Sequence, residues 1–130
     1  MKKLPLLTKT VFHTTNIVLI LIYLYPGSII GWLLYGDIKK QPQLTSDFVI
    51  FSSNHVYAFL VLSFLGLISY YKNDVKILFF YLFFISIFLE LCHILIPQRS
   101  FEFKDLTGNF LGVFIIFIIF YLYYFIKRNR

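Results

Sequence analysis

Residues 90–109 contain most of the side chains that are capable of chemistry, and they lie between two long apolar runs. Glu90 lies inside the first run and Asn109 inside the second, while the connection between them supplies Arg99 and Asp105. A charged side chain at membrane depth is costly, so such residues usually face the protein interior and have a partner there. We therefore predict that this stretch forms the functional site of a small membrane protein.

The spacing of these residues predicts where they lie on helices. Glu90 and His93 are three residues apart, so they share one helix face. Asp105 and Asn109 are four residues apart, at the start of the next apolar run, and share a face for the same reason. His55 lies near the start of an earlier run, which we expect at the same end of the bundle. The predicted ligand-binding residues are Glu90, His93, Arg99, Asp105, Asn109 and His55.

Two kinds of chemistry suit these side chains. The planar fork of donors on Arg99 suits phosphate and carboxylate groups, with Asn109 and His93 adding hydrogen bonds. This combination predicts recognition of a polar or anionic head group, such as that of a lipid-linked molecule. Glu90 and His93 are also candidates for acid–base catalysis, provided that a substrate is held nearby.

A metal site is a third kind of chemistry. Suitable ligand types are present in Glu90, His93, His55 and Asp105. His55 and His93 also lie at matching depths for haem ligation. However, the chain contains no compact ligand motif such as H-E-x-x-H and nothing else typical of a haem pocket. We therefore expect no metal and no cofactor, while metal binding by these residues stays an open alternative.

Each residue also has a purely structural interpretation. Asp105 suits the first turn of a helix, where a carboxylate bonds free amides and favours the helix dipole. Asn109 suits a hydrogen bond between membrane helices. Glu90 is the exception, since a carboxylate inside a membrane is a functional candidate by default. The candidate partners of Glu90 are Arg99, His55, His93 and Asn109.

The composition predicts a membrane protein. Of the 130 residues, 59% are hydrophobic and 14% are charged, and a soluble domain of this size could not bury so much apolar surface. The net charge of +6 comes from basic residues beside the apolar runs, which is typical of lipid contacts and topology signals rather than nucleic-acid binding. The expected partners are membrane lipids or a lipid-linked envelope precursor, with a membrane protein as a further candidate and no nucleic acid.

The apolar runs approach or exceed the roughly 20 residues that cross a bilayer. The predicted fold class is an all-α membrane bundle of four transmembrane helices in one domain, residues 1–130. The predicted spans cover about residues 11–35, 48–71, 75–96 and 106–126. Pro26-Gly27-Ser28 should break the first span, so residues 29–35 either lie along the surface or continue the span after a kink. Pro97 should end the third span, and a tight turn at residues 71–74 should make the second and third antiparallel.

Lysine and arginine predict the orientation of the bundle. Eight lie in the N-terminal segment, the turn near residue 72 and the C-terminal segment, whereas four lie in the other two connections. The positive-inside rule then places both termini in the cytoplasm and the polar site at the outward face. The predicted location is the inner or plasma membrane, as a multi-pass protein.

The motif residues resemble the VanZ-like family of bacterial membrane proteins, whose pattern is roughly E-x-x-Q, P-x-R, then D-x-x-x-N-x-x-G. The matching residues, in order, are Glu90, Pro97, Arg99, Asp105, Asn109 and Gly112. His93 stands where the family usually has Gln. His55 matches an early helical His, although Phe51 and Ser52 replace the expected Asp and Lys. The resemblance implies a cell-envelope protein linked to glycopeptide-antibiotic tolerance.

The first functional hypothesis is therefore a non-enzymatic envelope protein that binds a head group at its outward face. One alternative is a membrane-embedded enzyme that uses Glu90 and His93 as acid and base. The other is a small accessory or structural subunit of a membrane complex.

Overall fold

The computed structural model describes residues 3–72 and 74–129, and all regular secondary structure in these ranges is helical. The described helices are α1 (Lys3–Leu24), α2 (Ile29–Tyr35), α3 (Ser53–Tyr70), α4 (Val75–Cys92) and α5 (Phe103–Arg128). All but α2 are long and apolar enough to cross a membrane. This confirms the predicted all-α bundle of four transmembrane helices. Lys2, Asn73 and Arg130, which entered the predictions of orientation and of the tight turn, lie outside the described residues.

The span predicted over residues 11–35 is divided into α1 and α2. α1 ends at Leu24, just before the predicted break at Pro26. A new helix begins after Ser28, whose Oγ accepts a hydrogen bond from the Gly31 amide at 2.9 Å. Gly36 ends α2 in the left-handed region, with φ of 67°. At seven residues, α2 is only about 10 Å long and cannot cross a bilayer.

α3 begins at Ser53 rather than at residue 48. Asp47 explains this difference. Its Oδ1 accepts a hydrogen bond from the Ser53 amide at 2.9 Å, so a residue six positions earlier in the chain caps the helix. Desolvation opposes the charge on Asp47, but hydrogen bonds from Ser53 outweigh it and hold the pKa of Asp47 below its usual value. Ser52 occupies the N-cap position without a side-chain hydrogen bond to the helix.

α4 also ends earlier than predicted, at Cys92 rather than just before Pro97. The next amides bond three residues back, from His93 to Glu90 and from Ile94 to Leu91, which is the tighter 3₁₀ pattern that commonly closes a helix. α5 begins at Phe103, three residues before the predicted start at residue 106. The connection between the two helices is therefore residues 93–102.

α3 and α5 make the most extensive contact among the described helices, and small residues on α5 allow it. A Cβ added to Gly108 would lie 2.6 Å from the carbonyl oxygen of Ser52. One added to Gly112 would lie 2.6 Å from that of Val56. The two backbones thus touch along this face, as small residues permit in membrane helices. This contact sets the first turn of α3 against the first turns of α5.

Replacement of Gly112 by alanine is expected to destabilise the bundle. Alanine is the better helix former by about 1 kcal/mol, so a loss of stability has to come from the crowded contacts with Val56, Phe59 and Leu60 of α3. Overpacking of this kind typically costs about 1–3 kcal/mol. The measurement is the thermal unfolding temperature in detergent, with Phe114→Leu on the exposed side of α5 as the control. A raised unfolding temperature for Gly112→Ala would show that the helices do not meet here, because only the gain in helix propensity would then remain.

Candidate functional site

Polar side chains from four helices meet at one end of the bundle. Asn109 lies at their centre, fully buried. Its Oδ1 accepts a hydrogen bond from the Tyr23 hydroxyl at 2.8 Å and lies 2.9 Å from Nδ1 of His55. Its Nδ2 donates to the Ser86 carbonyl at 3.1 Å. Asn109 of α5 therefore joins α1, α3 and α4. We call the following six residues the polar cluster: Tyr23, His55, Glu90, His93, Asp105 and Asn109.

The first histidine of the cluster faces a carboxylate. His55 Nε2 lies 3.4 Å from Oδ2 of Asp105, and their side chains are 13% and 21% exposed. The other ring nitrogen, Nδ1, faces the amide oxygen of Asn109, which can only accept a hydrogen bond. Nδ1 therefore carries a hydrogen, and in the neutral ring the lone pair of Nε2 points at Asp105.

The second histidine repeats this arrangement. His93 Nε2 lies 3.0 Å from the Tyr23 carbonyl oxygen, which only accepts, so Nε2 carries a hydrogen. His93 Nδ1 lies 3.2 Å from Glu90 Oε2. A protonated His93 would form an ion pair with Glu90 here, whereas in the neutral ring this nitrogen offers a lone pair and no hydrogen. Among the described residues, Oε2 has no hydrogen-bond partner.

Glu90 is fully buried, and its other oxygen is held by the start of α5. Oε1 accepts a hydrogen bond from the Glu102 amide at 3.0 Å. The N-terminus of a helix attracts negative charge, so α5 partly stabilises the carboxylate of Glu90. Asp105 lies in the first turn of the same helix, and Glu102 rather than Asp105 occupies the N-cap position.

Arg99 does not pair with Glu90, although the sequence suggested it as a partner. Its Nε donates to the Tyr25 carbonyl at 3.2 Å and its Nη2 to the Ile22 carbonyl at 3.1 Å. Arg99 thus binds the free carbonyls at the end of α1, as cationic side chains often do. Burial lowers the pKa of Arg99 from its usual value, yet a guanidinium stays charged in proteins.

A cleft of about 540 Å³ opens beside the polar cluster. His55, His93 and Arg99 line its polar end. Its walls are largely apolar and come from α1, α2 and α3, including Val18, Leu19, Ile22, Ile30, Leu34, Ala58 and Val61. At 1.5 Å per residue, the wall residue Thr15 lies about 12 Å further into the bundle than Tyr23. The cleft therefore combines a polar end with a mostly apolar groove along the membrane depth.

The structure brings together five of the six residues that the sequence singled out, namely His55, Glu90, His93, Asp105 and Asn109. Arg99 lies at the edge of the cleft. Tyr23 was missed, although its hydroxyl bonds Asn109 and its ring packs 5.2 Å from that of His55. In a chain with 22% aromatic residues, one tyrosine has no distinguishing pattern. The available signal was its position, in the last turn of α1 at the level of the other polar residues.

Comparison with protein-family models, with curated proteins and with solved structures finds no match for this chain. The chemistry of the polar cluster and the shape of the cleft are therefore the basis for a functional proposal.

Proposed function

We propose that this protein binds a lipid-linked molecule in the cleft, with a polar or anionic head group at the polar end and an acyl chain along the apolar walls. The observation that best supports this is the layout of the cleft, which has His55, His93 and Arg99 at one end and mostly apolar side chains along the rest. The further polar lining residues include Thr15, Gln41 and Asn54. Binding sites of this kind are mostly apolar with a few placed polar groups. An amphipathic ligand matches both parts.

Arg99 is the residue best suited to the head group. Two of its nitrogens are occupied by α1 carbonyls, which fixes the plane of the guanidinium. Its third nitrogen, Nη1, makes no hydrogen bond to a described residue and is available to a ligand. A fixed guanidinium suits phosphate or carboxylate oxygens, and its partial burial strengthens the attraction.

The cellular setting follows from the motif and from the distribution of charge. We propose a VanZ-like protein of the bacterial cell envelope, located in the inner membrane and linked to glycopeptide-antibiotic tolerance. Both termini lie in the cytoplasm in this proposal, and the cleft faces outward. The motif residues Glu90, Asp105 and Asn109 support it by lying in one cluster, and Gly112 supports it by lying in the contact that positions the cluster.

An enzyme is the second candidate, favoured by the Glu90–His93 pair with its 3.2 Å separation. His93 lines the cleft, so it could exchange a proton with a bound substrate while Glu90 holds the opposite side of the ring. Glu90 itself is fully buried and does not line the cleft. Direct acid–base catalysis by Glu90 is therefore less well supported than binding.

The lipid proposal is tested by native mass spectrometry after purification in a mild detergent. The wild-type protein is expected to retain a lipid with an anionic head group. Ala58→Trp places a large side chain in the cleft wall and should reduce retention about tenfold, which corresponds to about 1.4 kcal/mol. Ile119→Trp, on the exposed face of α5, is the control and should retain lipid normally. Equal lipid retention by both variants would contradict the proposal.

A further inference from the structure

Three ligand-type side chains of the polar cluster lie close enough to share one ion. One nitrogen or oxygen atom from each of His55, Glu90 and Asp105 lies within 4.8 Å of the others. The three residues belong to three different helices, so their meeting is a product of the fold and not of helical spacing. We propose that they bind a divalent transition-metal ion, and that this ion is zinc.

The distances around the two histidines fit zinc coordination. Zinc bonds to nitrogen and oxygen are about 2.0–2.1 Å long, so neighbouring ligands in a tetrahedral site lie about 3.3 Å apart. His55 Nε2 and Asp105 Oδ2 are separated by 3.4 Å. His93 Nδ1 and Glu90 Oε2 are separated by 3.2 Å. Each pair therefore has the spacing of one edge of such a site.

A second, independent observation is the unpartnered oxygen of Glu90. Its side chain is fully buried, and Oε2 accepts no hydrogen bond from a described residue while the His93 ring, 3.2 Å away, is neutral. A buried carboxylate oxygen without a partner is costly. Because Oε1 is occupied by the Glu102 amide, Oε2 is the atom left for an ion. The ion would supply the missing partner.

The hydrogen bond from His55 Nδ1 to Asn109 fixes the orientation of the His55 ring, as in histidines that bind metals. Such histidines usually donate their second ring N–H to an oxygen, which fixes the ring and leaves the other nitrogen free for the metal. Here the Nδ1–H of His55 points at Asn109 Oδ1, at 2.9 Å. Tyr23 donates to the same oxygen and holds it in place. Nε2 is thereby directed toward Asp105.

Charge and ligand type indicate the class of ion. A divalent ion neutralises the two carboxylates of Glu90 and Asp105, which would otherwise repel each other in surroundings of low dielectric constant. An imidazole ligand favours zinc and related transition metals over magnesium or calcium. Three protein ligands leave a fourth position, as in open zinc sites. A water or an anion can take this position.

The sequence-based expectation of no metal rested on the lack of a compact ligand motif. Ligands drawn from three helices leave no such motif, so spacing could not reveal this set. The metal proposal does not depend on lipid binding. Metal content is measured on delipidated protein, so the two proposals fail separately.

The test is the zinc content of protein purified without a histidine tag, stripped with a chelator, reloaded with zinc sulfate and passed through a desalting column. Wild-type protein should hold about one zinc ion per chain and should unfold at a higher temperature with zinc than without it. Asp105→Asn and His55→Gln should lose most of the zinc and the zinc-dependent stabilisation. His13→Gln, at the opposite end of the bundle, is the matched control and should keep both.

Several outcomes would overturn the proposal. One is wild-type protein that holds no zinc and shows no change in unfolding temperature. Another is zinc retained equally by the wild type and by both ligand variants, since this would show adventitious binding elsewhere. If a ligand variant fails to fold, Glu90→Gln takes its place, because an amide of the same shape removes the charge without leaving a cavity.

Discussion

Replacement of Asn109 by leucine is expected to lower the stability of the bundle by about 3 kcal/mol or more, the largest effect of any single polar substitution proposed for this chain. Asn109 is fully buried and serves Tyr23, His55 and Ser86 from one amide group. Leucine cannot replace any of these hydrogen bonds. It would leave the Tyr23 hydroxyl without its acceptor and the Ser86 carbonyl without its donor, and each such loss costs about 1–3 kcal/mol. The His55 Nδ1–H would keep only the Tyr23 oxygen, at 3.0 Å.

The matched control is Asn16→Leu, near the middle of α1. The Asn16 amide donates to the Tyr81 hydroxyl, and its own oxygen has no partner among the described residues. Leucine there removes one hydrogen bond but also an unsatisfied buried oxygen, so the net change should be small. Both variants are compared by thermal unfolding in detergent. Equal destabilisation by the two substitutions would show that Asn109 is an ordinary buried amide and not the hub of the cluster.

The helices of this bundle were predictable because apolar runs of membrane length have few alternatives. The errors lie at the ends, where single contacts decide. α3 starts late because Asp47 binds the Ser53 amide, a contact across six residues that no periodicity encodes. α4 stops at Cys92 because the following amides, beginning with that of His93, turn to carbonyls three residues back. Pro97 marks only the outer limit of that helix.

The level of the candidate site was also predictable, because depth follows from residue count along each helix. Which side chains form hydrogen bonds with one another could not be predicted, because this depends on how the helices are rotated about their axes. Arg99 shows the difference. Its guanidinium lies in the connection that follows α4, and α4 carries the Glu90 carboxylate, so the sequence suggests that the two form an ion pair. In the structure its guanidinium binds α1 carbonyls, and the Glu102 amide binds Glu90 instead.

Arg99→Lys is expected to reduce retention of the anionic lipid about tenfold or more while the protein stays folded and inserted. Arginine can bind the α1 carbonyls through Nε and Nη2 and still present Nη1 to a ligand. A lysine keeps the charge but has one ammonium group on a flexible stem, so it cannot hold α1 and orient toward a phosphate at the same time. Native mass spectrometry measures the lipid, and membrane abundance is measured beside it.

The control for Arg99→Lys is Lys104→Gln, which removes an exposed charge only five residues away and should leave lipid retention unchanged.

In cells that lack the protein, Arg99→Lys should also fail to restore glycopeptide tolerance although it reaches normal membrane levels, while Lys104→Gln restores it. Full complementation and normal lipid retention by Arg99→Lys would remove the head-group contact from the proposal. The polar cluster would then serve to hold the four helices together for a partner protein, as in an accessory subunit, because its remaining contacts are internal to the bundle.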